Sequence, residues 1–112
     1  MSLVSEQAAF LLDVTKLINF ATDEGWVVTG GELWRTLEQQ ALHLKNGKSK
    51  TMSSQHLKRL AIDLNFFWQG KVIWDANLIR PIGMYWESLN PRNKWGGHFK
   101  TFVDAPHFER QY

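Results

Sequence analysis

Cysteine is absent from the 112 residues. That excludes disulfides and every zinc site built on thiolates, so a metal bound here needs imidazole and carboxylate ligands. No run of about eighteen apolar residues occurs, so nothing reads as a membrane-spanning helix and no stable membrane insertion is expected. The first residues lack a positive region ahead of their apolar positions, and Glu6 and Asp13 interrupt them. They do not read as a secretory signal peptide. Charge of one sign is scarce as well: 13 Lys+Arg oppose 11 Asp+Glu, leaving +2. This mild bias suits an anionic polymer such as cell wall or nucleic acid, but it equally suits a protein with neither target. Internal repeats and low-complexity segments are also missing.

What is present suffices for a core. Hydrophobic residues make up 44% and aromatics 13%, and the length suits one domain, taken as residues 1–112. Residues 3–24 read as an amphipathic helix, with Phe10, Leu11, Val14, Leu17, Ile18 and Ala21 at helical spacing, Ser2 as cap and Gly25 as stop. Trp26–Thr29 reads as a short strand running into the Gly30-Gly31 turn. Leu33, Leu37, Ala41 and Leu44 predict a second helix beginning near Arg35 and ended by Gly47. The basic stretch Lys45–Lys50 reads as a solvated loop, with contact to an anionic polymer as the sharper alternative.

From Leu60 to Trp68 the pattern alternates. Leu60, Ile62, Leu64 and Phe66 share one face, and Ala61, Asp63 and Asn65 share the other. Gln69-Gly70 turns the chain so that Lys71–Trp74 returns as a hairpin partner. Asn77–Leu89 reads as a helix that Pro81 kinks or delays. Asn90–Asn93 reads as a loop, and Trp95–Phe99 as a compact stretch whose glycines permit close backbone approach. Pro106 disfavours a helical Ala105, so His107-Phe108-Glu109 reads as a short strand with His107 and Glu109 on one face and Phe108 buried. The fold class expected is α+β: a small antiparallel sheet with the site on one face and helices on the other.

Two clusters carry chemistry. Ser54–Asp63 offers the imidazole of His56 and, seven residues on, the carboxylate of Asp63; Asp104–Glu109 offers His107 with Asp104 close by. The spacing of seven also suits one face of a helix, but the β-branched and aromatic residues after Leu60 favour a strand. Two histidines and one aspartate can hold a zinc ion with a fourth position open, the arrangement of a catalytic site, where water is activated near neutral pH. His56, Asp63 and His107 are the ligands expected, with Asp104 as general base. A histidine beside an aspartate is also simply a hydrogen-bonded pair, and residue types alone leave both readings open.

Ser54-x-His56, then Ala61-x-Asp63, then Asp104-x-x-His107-Phe108 resembles the zinc D-alanyl-D-alanine carboxypeptidase and L-alanyl-D-glutamate endopeptidase family, which includes VanY-like enzymes and many phage endolysins. The resemblance extends to Arg35-Thr36-x-x-Gln39 and to Trp95-Gly96-Gly97, covering roughly residues 25–109. One position departs: the family often has glycine where this chain has Arg59. The resemblance implies a hedgehog/DD-peptidase-like fold, one Zn2+, and hydrolysis of peptidoglycan stem peptides. It implies that Arg35 binds a substrate carboxylate or polarises the scissile carbonyl. Ser54 would orient the ligand loop or contact substrate, Trp95 would stand at the cleft, and Glu109 would support His107.

Within the family, small size, no signal peptide and mild basic charge favour a phage or prophage endolysin cutting the L-alanyl-D-glutamate bond. Such a protein is made in the bacterial cytoplasm and acts on the wall after release, as a monomer. The alternatives are a D-alanyl-D-alanine carboxypeptidase and a non-catalytic zinc-binding wall-interaction domain. A nucleic-acid module using Lys45–Lys50 and exposed tryptophans is the remaining class, and nucleic acid is not the partner expected.

Overall fold

The computed structural model describes residues 2–47 and 54–112. Helix α1 spans Leu3–Asp23, and the Ser2 hydroxyl caps it by accepting from the Ser5 amide at 3.1 Å. Phe10, Val14, Leu17 and Ala21 recur three or four apart and are buried on one stripe, whereas Leu11 points to solvent. Gly25 ends the helix with φ +101°, a left-handed conformation that side chains resist.

Strand β1 (Val27–Gly30) is followed by a loop and then α2 (Leu37–Lys45). The helix starts two residues after Arg35 because Thr36 and Gln39 form a reciprocal capping box. Its apolar positions face solvent rather than the core, and Gln40 is the residue it buries. The apolar spacing therefore marks a helix without marking a core face. Of the basic stretch, residues 48–50 lie outside the described residues.

A 3-10 turn, Gln55–Lys58, leads through Arg59 into β2 (Ala61–Trp68), the longest strand. Gln69 and Gly70 both have positive φ, at 51° and 80°, as a tight hairpin requires, and β3 (Lys71–Ile73) pairs back onto β2. Helix α3 (Ala76–Leu89) is capped by Asp75 and passes through Pro81 without ending. Asn77, whose carbonyl loses its partner to the proline, is exposed, so water can replace the missing donor. Strand β4 (Asn93–Trp95) stands where a loop was expected to end, and β5 (His107–Arg110) completes the sheet.

The five strands form an antiparallel sheet in the order β1-β2-β5-β4, with β3 also on β2. The fold is α+β, as the sequence pattern predicts. Helices α1 and α3 pack on one face, where Leu64, Phe66 and Phe108 meet Phe10, Leu17, Ile82 and Trp86. Edge-to-face contacts join Phe10 to Trp86 at 5.5 Å and Phe66 to Phe108 at 5.8 Å between ring centroids. A buried polar network ties the first helix to the last strand. The Arg110 guanidinium donates to Asp13 and, at 3.0 Å, to Asn93, whose amide donates to Asp13 at 3.2 Å and to the Trp86 carbonyl at 3.1 Å.

Candidate metal centre

Pairing of β2 with β5 sets Asp63 directly opposite His107. Because alternate residues of a strand share a face, both side chains leave the helix-covered core together. His56 reaches the same point from the 3-10 turn, whose tight curvature is fixed by the Ser54 hydroxyl accepting from the His56 amide at 3.2 Å. The three residues offer ligand atoms that all lie within 4.8 Å of one another. His56 Nε2 stands 3.4 Å and His107 Nδ1 3.3 Å from Asp63 Oδ1.

The other nitrogen of each ring is already held. His56 Nδ1 is 3.0 Å from the Leu33 carbonyl, and His107 Nε2 is 2.7 Å from Glu109 Oε1. Such contacts fix ring orientation and leave a defined nitrogen for the site. His56 Nε2 is buried, and its contact with Asp63 Oδ1 at 3.4 Å leaves it poorly satisfied. A buried nitrogen held so loosely is costly unless something else binds it, and a divalent cation beside a carboxylate and a second imidazole would do so. The residues present therefore fit zinc.

Electrostatics follow from burial and proximity. Burial works to raise Asp63, but hydrogen bonds and positive charge from His107 and His56 outweigh it and hold the carboxyl well below the ordinary range. Burial works to lower His107, but its bonds to Asp63 and Glu109 push it up to about 9. Asp104 is raised, chiefly by burial; the charge of His107 opposes this and that of Asp63 adds to it. The positive charges of His56 and Arg35 also oppose the rise. The Asp104 backbone is locked in place, since the Asp104 amide donates to the Gly96 carbonyl at 2.9 Å and the His107 amide to the Asp104 carbonyl at 3.1 Å. A Cβ on Gly96 would stand 2.0 Å from that Asp104 carbonyl oxygen.

Arg35 lies in the loop before α2, and its amide donates to the His56 carbonyl at 3.4 Å. Its guanidinium is bonded to Glu32 and Gln40, which commits three of its donors and leaves one on each terminal nitrogen. The same loop is stitched to Asp63 on both sides: Gly31 donates to the Asp63 carbonyl at 2.7 Å, and the Asp63 amide to the Glu32 carbonyl at 2.8 Å. These supports from Leu33, Glu32 and Gly31 escape a reading of residue types, because backbone carbonyls and amides occur at every position.

Trp95 is a correction. Its side chain was expected at the cleft, but it is fully buried. The indole lies between Gly83 and Gly97, each so close that an added Cβ would come within 2.1 Å of the ring, and its N–H donates to the Ala105 carbonyl at 2.7 Å. It supports the loop that carries Asp104 and cannot touch substrate. His98, one of the remaining histidines, pairs with Glu87 at 2.9 Å, and His43 stands 3.9 Å from Glu32; neither joins the cluster.

Comparison with known proteins agrees with this geometry. The chain is 33% identical over 98 residues to the L-alanyl-D-glutamate peptidase of Listeria phage A118, an alignment covering 87% of this chain and 35% of that protein. It thus spans about a third of the phage relative's length. The crystal structure of the Serratia marcescens L-Ala D-Glu endopeptidase ChiX superposes with a TM-score of 0.70 at 26% identity, covering 88% of this chain and 78% of that one. The profile of the D-alanyl-D-alanine carboxypeptidase family matches residues 47–110, more than half of the sequence, and the chain belongs to that family of M15 peptidases.

Proposed function

We propose that residues 1–112 form one zinc-dependent catalytic domain that hydrolyses the L-alanyl-D-glutamate bond of peptidoglycan stem peptides. The observation that carries this reading is the convergence of His56, Asp63 and His107, with a buried His56 nitrogen left poorly satisfied. The two peptidases named above supply the substrate class.

A zinc ion held by these three residues would supply Lewis acidity, polarising a peptide carbonyl and making water a better nucleophile at neutral pH. The chain's own residues do the rest. Asp104, raised by burial, accepts the proton of the attacking water and returns it to the departing amine. Arg35 directs its two remaining donors at a substrate oxygen, while Glu32 and Gln40 keep the guanidinium from swinging away. Ser54 holds the His56 turn. The likeness to a phage peptidase supports an endolysin, made in the bacterial cytoplasm and acting on the wall as a monomer.

The test combines elemental analysis with digestion of purified peptidoglycan and mass spectrometry of the new termini, with Asp104→Ala as control. The expected result is about one zinc per chain, with new L-alanine C-termini and D-glutamate N-termini that vanish in the variant. Release of terminal D-alanine would instead identify a carboxypeptidase. Zinc without cleavage would identify a binding domain, and failure to take up zinc would refute the reading.

A further inference from the structure

We propose that Arg59, stacked on Trp34 at the end of the turn that carries His56, selects substrates carrying a free carboxylate beside the scissile bond. The inference rests on the peptidase reading above and names a specificity determinant for it.

Arg59 closes the 3-10 turn that carries His56, and its φ of 57° lies in the left-handed region. Glycine adopts that conformation without strain, and arginine does not. A strained arginine at a turn beside a metal ligand invites the question of what its side chain does there. The guanidinium carbon sits 5.0 Å from the centroid of the Trp34 ring. Trp34 is 49% exposed, so the aromatic face is spent on holding this cation rather than on filling the core. A guanidinium laid on a ring keeps its N–H edges directed outward, in the fork that matches a carboxylate. Among the described residues no carboxylate lies within ion-pair distance of Arg59, so that fork has no anion of the chain's own.

The pair is tied to the site by backbone. The His56 carbonyl receives both the Arg59 amide, at 3.2 Å, and the Arg35 amide, at 3.4 Å, while the Leu33 carbonyl contacts His56 Nδ1 at 3.0 Å. Trp34 lies between Leu33 and Arg35. The platform and the ligand therefore move as one piece. The proposed substrate supplies the complement. Of the two carboxyls of a D-glutamate residue, one continues the stem peptide and the other remains free. An anion next to the cleaved bond meets Arg59 outside the centre, leaving Arg35 to the reacting carbonyl.

The experiment measures binding by calorimetry, using zinc-loaded protein carrying Asp104→Ala so that nothing is turned over. Two synthetic L-alanyl-D-glutamate peptides are compared, one with the free carboxyl and one with it amidated. The acid form should bind about fivefold tighter, a solvent-exposed charge-assisted bond being worth less than a buried one. Arg59→Gly should bring the ratio close to one without lowering the melting temperature, since glycine relieves the left-handed strain. Arg59→Lys should keep part of the preference, and Trp34→Ala should weaken it by freeing the guanidinium. A preference that survives Arg59→Gly overturns the role assigned to Arg59 and leaves the peptidase reading standing. Binding of neither peptide by the Asp104→Ala protein overturns the substrate, and the Arg59 role with it.

Discussion

Replacing Glu109 by glutamine separates two effects that the centre combines. Glu109 Oε1 is 2.7 Å from His107 Nε2, and the carboxylate is only 12% exposed, so water is a poor substitute. The contact fixes the ring with Nδ1 toward Asp63. Losing a partner of this kind costs roughly 10–100-fold in metal affinity, or about 1.4–2.7 kcal/mol. Glutamine keeps the volume and an acceptor oxygen, so the smaller figure applies; alanine leaves the nitrogen bare and moves toward the larger. A second effect opposes the first. His107 is held up to about 9, against burial, by Asp63 and Glu109 together, so below that pH zinc must displace a proton. Near pH 7.5 the displacement reduces affinity by about 30-fold, and removing the Glu109 charge relieves part of it. The net loss in Glu109→Gln should therefore be small near pH 7.5 and approach about tenfold near pH 9.5, where the proton is already gone. Competition against a chromophoric chelator at both pH values reads this directly. Equal affinities for the two proteins at the higher pH would refute the claim that Glu109 orients His107.

Three further outcomes follow from the same geometry. Gly96→Ala should lose activity and about 2–3 kcal/mol of stability by urea denaturation, because its Cβ would meet the Asp104 carbonyl at 2.0 Å and the His107 Cβ at 2.9 Å. Arg110→Ala should cost about 3–5 kcal/mol, seen as a lower melting temperature, because it strands the buried carboxylate of Asp13. In chelator-treated protein the raised His107 contributes stability that is complete below its unfolded pKa and is lost as pH rises toward about 9. Melting temperature should then fall across that window, and Glu109→Gln should flatten the fall.

The meeting of Asp63 with His107 was legible because strand alternation is. Once Leu60, Leu64 and Phe66 are assigned to the core face, Asp63 must leave it, and Pro106 marks where the strand bearing His107 begins. Membership of the family was legible in the ligand register. The departures have separate physical causes. Strand β4 is three residues long and takes its place from pairing with β5, so it has no period of its own to detect. The stripe on α2 is apolar but unburied, since capping and the Arg35–Gln40 bond hold the helix without a core. Trp95 beside two glycines resembles an open platform in sequence, yet those glycines make room for the indole itself. Arg59 carried a signal that sequence alone could not interpret: its departure from glycine becomes meaningful only with a left-handed φ and a tryptophan beneath it.

The order of strands also sets when the protein can act. Strand β5, the last of the described strands in chain order, lies in the interior of the sheet between β2 and β4. It carries His107 on one face and the core residue Phe108 on the other, and Arg110 reaches back 97 residues to Asp13. A nascent chain or breakdown product that stops short of β5 lacks a ligand, a central strand and the anchor of α1 at once. Contacts this distant in sequence close late in folding. A site built this way has no partially folded, partially assembled form: under the peptidase reading proposed above, activity would wait until β5 has joined the sheet.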